Sequence, residues 1–404
     1  MRIFRNCAFA LFVLIVGTNL PSPLYPVYAH AYGFSPLVLT LIFATYAGVL
    51  VPSLLLAGSA ADAWGYRRVL APGLAIAIGG SLLFGYAEST GWLFLARAMQ
   101  GLAVGMSSGA LTAALARTEP RGSTRRASLA ASLATTAGGG FGPLVAGACA
   151  AWLPAPTRLC YLIETGVLIV AAAGLLGLPA ELGRTGNRWR VSLPRVPSVA
   201  RTPFVLACAT ACTGWAVTAV FLSMVPSYLR SLTGEQNLFL AGFAAGLVLL
   251  VAAAVQPLAT HLGARTQQRS GLLALAAGTA VLLIAGPTRL LALVIAAAVL
   301  AGAGQGLAFM GAVRATNQAA PPESRAAVVS TLYMASYVGV GVPAIGVGLL
   351  ATLTTTTTAV AVFAVVAMLI ALTVAALHTR SLSRSRRCTP DRGHGRGAAD
   401  PIAR

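Results

Sequence analysis

Arg97 and Glu164 are the two residues of this chain whose type and setting could do chemistry. Arg97 lies within the apolar run 91–115, and Glu164 lies within the run 159–178. A charge at the centre of a lipid-embedded helix costs about 2.5–3.5 kcal/mol on insertion scales, so such a residue should face a cavity or a partner. Because a buried carboxyl group can bind and release a proton, Glu164 is a candidate for proton coupling, either alone or paired with Arg97. For Arg97 the alternative is snorkelling to the surface, since it lies close to the start of its run.

The composition places these two residues in a membrane protein. Of 404 residues, 57% are apolar and 9% are charged, whereas soluble chains are about 45–50% apolar and about 25% charged. The basic residues are all arginines, and they give a formal net charge of +19. They stand in short gaps between apolar runs, which is typical of membrane loops and argues against nucleic-acid binding. The few His and acidic residues are scattered, so the sequence predicts neither an enzyme nor a cofactor or metal site, and the cysteines are interpreted as buried apolar residues.

Charge-free apolar runs give the number of spans, because a hydrocarbon core of about 30 Å needs roughly 20 helical residues. They predict an all-α integral membrane protein with 12 transmembrane helices. Six fall in residues 1–178 and six in residues 204–379, joined by a basic cytoplasmic linker at 179–203 and followed by a disordered cytoplasmic tail at 380–404. With both termini on one side, 24 arginines fall on that side and 3 on the other. The positive-inside rule then predicts cytoplasmic termini, in the inner membrane of a bacterium.

The first span has some features of a secretory signal peptide, including an Ala29-His30-Ala31 sequence near its end. Its apolar stretch is longer than the usual signal core of about 7–15 residues. We therefore expect an uncleaved helix whose outer half is kinked by Pro21, Pro23 and Pro26.

The two halves of the chain resemble each other. Gln100-Gly101-Leu102 recurs as Gln305-Gly306-Leu307, at an offset of 205 residues, and Pro143 recurs as Pro343 in a second Gly-rich stretch. These matches predict a duplicated six-helix unit in parallel orientation. Two such bundles around an axis along the membrane normal would place a substrate site between them, near the middle of the bilayer.

The loop between the second and third predicted spans carries a motif that resembles the signature of the major facilitator superfamily, Gly-x-x-x-Asp-x-x-Gly-x-basic-basic. The resemblance implies a gate or conformational switch made by Gly58, Asp62, Gly65, Arg67 and Arg68. In physical terms, Asp62 could pair with either arginine in one conformation and release it in the other. Ala63 and Tyr66 stand where the family often has basic residues, so the latch should be weak, and the alternative is an ordinary polar turn. The equivalent loop of the second half lacks the acid, which predicts that the stronger gate lies in the first half.

Two further stretches resemble motifs of the same superfamily. The stretch from Arg97 to Gly105 resembles the fourth-helix motif, whose Arg is associated with proton coupling. The fifth span resembles the antiporter signature Gly-x-x-x-Gly-Pro-x-x-x-Gly, and its matching residues are Gly138, Gly142, Pro143 and Gly147. A bent and closely packed helix between the halves favours export, while the alternative is generic packing of small residues.

Polar and aromatic residues in the spans that usually line the cleft are the candidates for the substrate cavity. They are Asn19, Tyr46, Gln100, Trp215, Gln256, Gln305, Tyr333 and Tyr337. The repeat and the resemblance together predict a secondary active transporter that works by alternating access. The resemblance to drug/proton antiporters implies proton-coupled efflux of drug-like or metabolite compounds. Its partners would be the small-molecule substrate, protons and the lipid bilayer, and monomers would suffice. The alternatives are a solute uptake symporter or facilitator and, in a different class, a membrane sensor or enzyme.

Overall fold

The computed structural model describes residues 1–179, 182–183, 201–234, 237–319 and 325–387. Throughout these residues the secondary structure is helical, and no strand occurs among them. The helices are α1 (Arg2–Asn19), a 3-10 turn (Ser22–Leu24), α2 (Tyr25–Tyr32), α3 (Pro36–Trp64), α4 (Tyr66–Gly85), α5 (Thr90–Thr118), α6 (Thr124–Trp152), α7 (Pro156–Leu175), α8 (Arg201–Ser223), α9 (Val225–Thr233), α10 (Leu238–Leu258), α11 (Ala264–Thr288), α12 (Leu291–Ala319), α13 (Arg325–Leu353) and α14 (Thr356–Arg387).

Eleven segments of the described chain are long and apolar enough to cross a membrane. The first of them joins α1, the 3-10 turn and α2 into one span, Arg2–Tyr32. α5 is as long as the other spanning helices but is not among the eleven, and it carries Arg97, Gln100 and several hydroxyl side chains. The all-helical membrane fold predicted from the sequence is thus confirmed, while the count of twelve spans stays a prediction that depends on α5.

The first helix of each bundle is interrupted at a similar place. α1 ends at Asn19, the chain makes the 3-10 turn, and α2 continues to Tyr32, as the prolines predict, because a proline lacks the N–H that continues a helix. In the second bundle α8 ends at Ser223 and α9 resumes at Val225, again with a proline in its first turn. This correspondence follows from the duplicated unit.

The two bundles meet along two helix pairs, α6 with α10 and α3 with α13. At the first pair, glycines of one helix face backbone of the other: a Cβ on Gly140 would lie 2.8 Å from the carbonyl oxygen of Gly246, and one on Gly147 would lie 2.6 Å from that of Leu238. Small residues allow such backbone approach in membranes. At the second pair, the backbone N–H of Leu37 donates to Thr352 Oγ1 at 2.9 Å.

One cluster of the buried core includes residues of both bundles. We call the face where α1 begins and α14 ends the terminal face, and the other the opposite face. At the opposite face one hydrophobic cluster includes residues of both bundles, such as Leu24 and Tyr28 with Tyr228 and Val248. Two further clusters among the described residues each draw their buried members from one bundle. The bundles are therefore in contact through one shared cluster as well as through the two helix pairs.

Most of the predicted linker and the end of the predicted tail lie outside the described residues. The first bundle's last helix ends at Leu175, close to the predicted boundary at residue 178. The last helix runs past the predicted boundary at residue 379 and ends at Arg387.

Candidate functional site

Arg97 of α5 is fully buried, with 1% of its surface exposed. Its guanidinium donates to Tyr25 Oη at 2.8 Å, to the carbonyl oxygen of Thr18 at 2.5 Å and to Gln100 Oε1 at 2.9 Å. Among the described side chains none that contacts it is a carboxylate. Snorkelling to the surface is thus excluded for this conformation, because Arg97 points inward and is held by neutral acceptors.

Aromatic rings complete the surroundings of this buried cation. Four of them lie with their centroids 5.5–5.9 Å from the guanidinium carbon. The negative face of an aromatic ring attracts a cation, more strongly where water is excluded. These rings belong to Tyr25, Phe43, Tyr46 and Phe84.

Glu164 of α7 is also buried, with 6% of its surface exposed. Its carboxyl group accepts a hydrogen bond from Ser81 Oγ of α4. It packs directly against Gly17 of α1, where any Cβ would collide with Glu164 Oε1. Glu164 and Arg97 each have other partners, so the direct pair considered from the sequence is not formed in this structure. The predicted pair is wrong for this conformation, because α1 passes between the two side chains.

The backbone of α1 links these two environments. Gln100 Nε2 donates to the carbonyl oxygen of Gly17 at 3.0 Å, while Arg97 donates to that of Thr18. Glu164 contacts Gly17 at its Cα. One turn of α1 therefore lies between Arg97 with Gln100 on one side and Glu164 on the other. Movement of either group would displace α1.

The predicted gate is only partly described. The side chain of Asp62 lies outside the described part of the structure, so the latch between Asp62 and an arginine stays a prediction, and so does the part of Gly58 in it. Gly65 has a φ of 89°, a conformation that favours glycine, and it joins α3 to α4. Arg67 and Arg68 follow it with exposed side chains.

Tyr66 replaces a basic residue of the family pattern and has a packing role here. Its side chain is buried and lies against Gly183, and its backbone N–H donates to the carbonyl oxygen of Leu182 at 3.1 Å. The guanidinium of Arg117 lies 6.0 Å from its ring centroid. Tyr66 thus fastens the segment after α7 to the start of α4.

The antiporter-like residues of α6 lie where the bundles meet. A Cβ on Gly138 would lie 2.7 Å from the carbonyl oxygen of Phe12 on α1, and Gly142 faces α1 in the same way. Gly147 and the carbonyl group of Pro143 face α10 on the other side. α6 is thus held between α1 and α10 by glycine contacts, and its position supports the expectation of close packing between the halves.

Several cavity candidates lie along the contact between the bundles. The hydroxyl groups of Tyr46 on α3 and Tyr337 on α13 approach each other across it. Gln256 of α10 accepts from Ser132 Oγ at 2.6 Å and donates to Thr136 Oγ1 at 3.3 Å, both on α6. Asn19, which bonds Thr18 at 3.0 Å, lies beside the Gly-rich part of α6.

The other cavity candidates lie in the second bundle, where Tyr333 is 37% exposed. Trp215 and Tyr333 each make edge-on contacts with Phe309, with ring centroids 5.6 and 5.7 Å apart. Gln305 is buried with Oε1 directly against Gly214 of α8. This contact is the counterpart of Gln100 against Gly17, as the duplication predicts. At the same offset of 205 residues, however, Arg97 corresponds to Gly302, so the charged environment belongs to the first bundle.

Sequence reasoning missed the residues that hold Glu164 and Arg97 in place. Ser81 and Gly17 carried no signal, since a serine and a glycine in apolar runs are usually packing residues. Phe309 completes the aromatic cluster of the second bundle and is not distinguishable in sequence from other core residues.

The helical bundles and their buried polar groups have the form of a membrane transporter. The sequence matches the Major Facilitator Superfamily over residues 7–288 and 237–400, and the chain belongs to this family. No curated protein matches it in sequence.

Solved structures with the same fold include three transporters. A bacterial homologue of the human lysosomal transporter Spinster, inward-facing and occupied, is 14% identical with a TM-score of 0.73, covering 94% of this chain and 96% of that one. The nucleoside transporter NupG is 13% identical with a TM-score of 0.71, covering 93% and 99%. A POT family transporter in complex with 5-aminolevulinic acid is 12% identical with a TM-score of 0.74, covering 94% and 96%. At these identities the likeness establishes the fold alone. Membership of the family makes the chain a transporter of small molecules and not an enzyme.

Proposed function

We propose that this protein is a proton-coupled secondary transporter that exports drug-like or metabolite compounds by alternating access. The terminal face is assigned to the cytoplasm, in agreement with the excess of arginines there.

The observation that carries the proposal is the buried carboxyl group of Glu164. It is the one acidic residue within the apolar membrane-spanning segments of the described chain. It bonds the neutral hydroxyl of Ser81, and none of the described cations contacts it. An ionised carboxylate without a cation partner is expensive in such a place, by several kcal/mol. Protonation of Glu164 removes that cost. Protonation therefore favours the conformation in which Glu164 is buried away from water, and burial in turn favours protonation.

α1 provides the route from proton binding to movement of the bundles. Glu164 touches α1 at Gly17, and α6, which packs on α1 through Gly138 and Gly142, also packs on α10 of the second bundle. An ionised Glu164 would be unfavourable in its present position against Gly17. Deprotonation would therefore favour a different packing of α1 against α6. A ligand or proton shifts such an equilibrium only through its different free energy in the two states.

Export is the direction that the α6 residues favour. Their contacts with α1 and α10 leave little room for water to pass between the halves, which suits a transporter that must not leak protons. The substrate would bind between the bundles, near the hydroxyl groups of Tyr46 and Tyr337 and the amide of Gln256.

The test is transport in everted membrane vesicles with an imposed proton gradient, screened over a compound panel. Wild-type protein should show substrate-dependent proton release, and Glu164→Gln should abolish it while retaining counterflow of the same substrate. Glu88→Gln, which changes an exposed acid outside the spans, is the matched control. Uptake only in right-side-out vesicles would overturn export, and undiminished pH dependence in Glu164→Gln would eliminate Glu164 as the proton site.

A further inference from the structure

A cavity of about 310 Å³ lies between α4 and α7 on the outside of the first bundle. Its walls are aliphatic side chains of the two helices, among them Leu74, Ile78 and Ile169. Ile169 is 53% exposed and Leu176 is 64% exposed, so the cavity is a groove that opens toward the surrounding lipid and not toward the contact between the bundles.

One charged side chain lines this groove, that of Arg67, at the end where α4 begins. Arg67 is exposed and stands in the first turn of α4, whose backbone N–H groups add partial positive charge at the same end. Toward the middle of the membrane, α4 and α7 contribute aliphatic residues to the lining. The groove therefore offers a cation at the membrane surface and an apolar channel leading away from it.

We propose that the α4–α7 groove is a binding site for an acidic phospholipid, with its phosphate at Arg67 and one acyl chain along the groove. Basic pockets between transmembrane helices on the cytoplasmic side are a recognised way of holding anionic headgroups. A zwitterionic lipid would gain the same apolar contacts but less from the arginine. The charge of Arg67 at the end of the groove therefore favours an acidic phospholipid over a zwitterionic one. That lipid would come from the leaflet on the terminal face.

The site also borders the predicted gate. Arg67 follows Gly65 at the junction of α3 and α4, and Tyr66 beside it holds the segment after α7 through Leu182. A lipid phosphate bound to Arg67 would compete with Asp62, which is predicted to pair with the same arginine in the gate. Lipid composition would in this way affect how readily the gate closes.

The experiment is native mass spectrometry of the full chain released from nanodiscs that contain equal amounts of phosphatidylglycerol and phosphatidylcholine. Wild-type protein should retain phosphatidylglycerol in preference to phosphatidylcholine. Arg67→Ala should reduce that preference about five-fold, as expected for one arginine near an anionic surface. Ala172→Phe, which fills the groove and keeps Arg67, should reduce retention of both lipids.

Arg125→Ala is the matched control, because Arg125 is an exposed arginine in the first turn of α6 and does not line the groove. It should leave the preference unchanged. Equal losses in Arg67→Ala and Arg125→Ala would mean general surface charge and would overturn the site. Equal retention of the two lipids by wild-type protein, or unchanged retention in Ala172→Phe, would overturn it as well.

Discussion

The carboxyl group of Glu164 occupies the space that a side chain at position 17 would need. Gly17 is therefore required for α1 and α7 to pack as they do, and its neighbour Thr18 uses its carbonyl group to hold Arg97. Glu164 and Arg97 are thus arranged around the same turn of α1.

Replacing Gly17 by alanine should destabilise the protein by about 1–3 kcal/mol, the usual cost of overpacking. The new methyl group would collide with Glu164 Oε1. Thermal unfolding in detergent measures the effect, with Gly166→Ala on α7 as control, since a Cβ there meets no atom within 4 Å. The double variant Gly17→Ala, Glu164→Ala should lose less stability than the sum of the single changes, because the colliding carboxyl group is gone. Strict additivity would show that the two positions are not in contact.

Replacing Arg97 by lysine should lower stability by about 2 kcal/mol, since a hydrogen bond to a charged group contributes about 1.5–3 kcal/mol. The guanidinium bonds Tyr25, Thr18 and Gln100 at once, and a lysine ammonium, a point charge with three donors, cannot reproduce that geometry. Thermal unfolding and substrate-dependent proton release are the two measurements. Arg289→Lys, at an exposed loop position, should behave as wild type. Wild-type stability in Arg97→Lys would contradict the described network.

A disulfide between α3 and α13 should lock the opposite face. Thr40 lies directly against Gly348, within the reach of a Cβ–Cβ separation of about 3.5–4.5 Å after a small shift. With the native cysteines replaced by alanine, Thr40→Cys and Gly348→Cys together should cross-link on oxidation and stop transport until a reductant is added. Thr40→Cys with Gly341→Cys is the control, because a Cβ on Gly341 meets no atom within 4 Å. Unimpaired transport in the oxidised pair would show that the opposite face need not open.

The loop between α5 and α6 should contribute a pH-dependent part of the stability. The backbone N–H groups of Ser123 and Arg121 donate to Glu119 Oε2 at 2.7 and 2.8 Å, and these bonds lower the pKa of that carboxyl below its ordinary value of 4.5. A lowered pKa means stability that is present above the unfolded value and lost as pH falls through the folded one. The melting temperature of wild type should exceed that of Glu119→Gln near pH 6, and the difference should shrink below about pH 4. A difference that does not vary with pH would contradict this.

The sequence was sufficient for the fold and insufficient for the arrangement within the site. Long charge-free runs and the recurrence of Gln100-Gly101 as Gln305-Gly306 predicted helices and duplication, because spanning length and repeated spacing are properties of the chain itself. Ser81 meets Glu164 across 83 positions of sequence, and that contact depends on how α4 and α7 rotate about their own axes. The same reason explains why the proposed Glu164–Arg97 pair was wrong for this conformation: apolar runs do not reveal which helix lies between two side chains.

The glycine contacts between α6 and α10 also bear on the cost of each transport cycle. The backbone of α6 packs against the backbone of α10 with few side chains between them. This occurs where Gly140 contacts Gly246 and where Gly147 contacts Leu238. Ordering a long side chain costs up to about 2 kcal/mol of entropy, whereas glycine has none to order. Sliding of α6 against α10 would therefore require few changes of side-chain rotamer, so the entropy of ordering side chains adds little to the free energy of that motion.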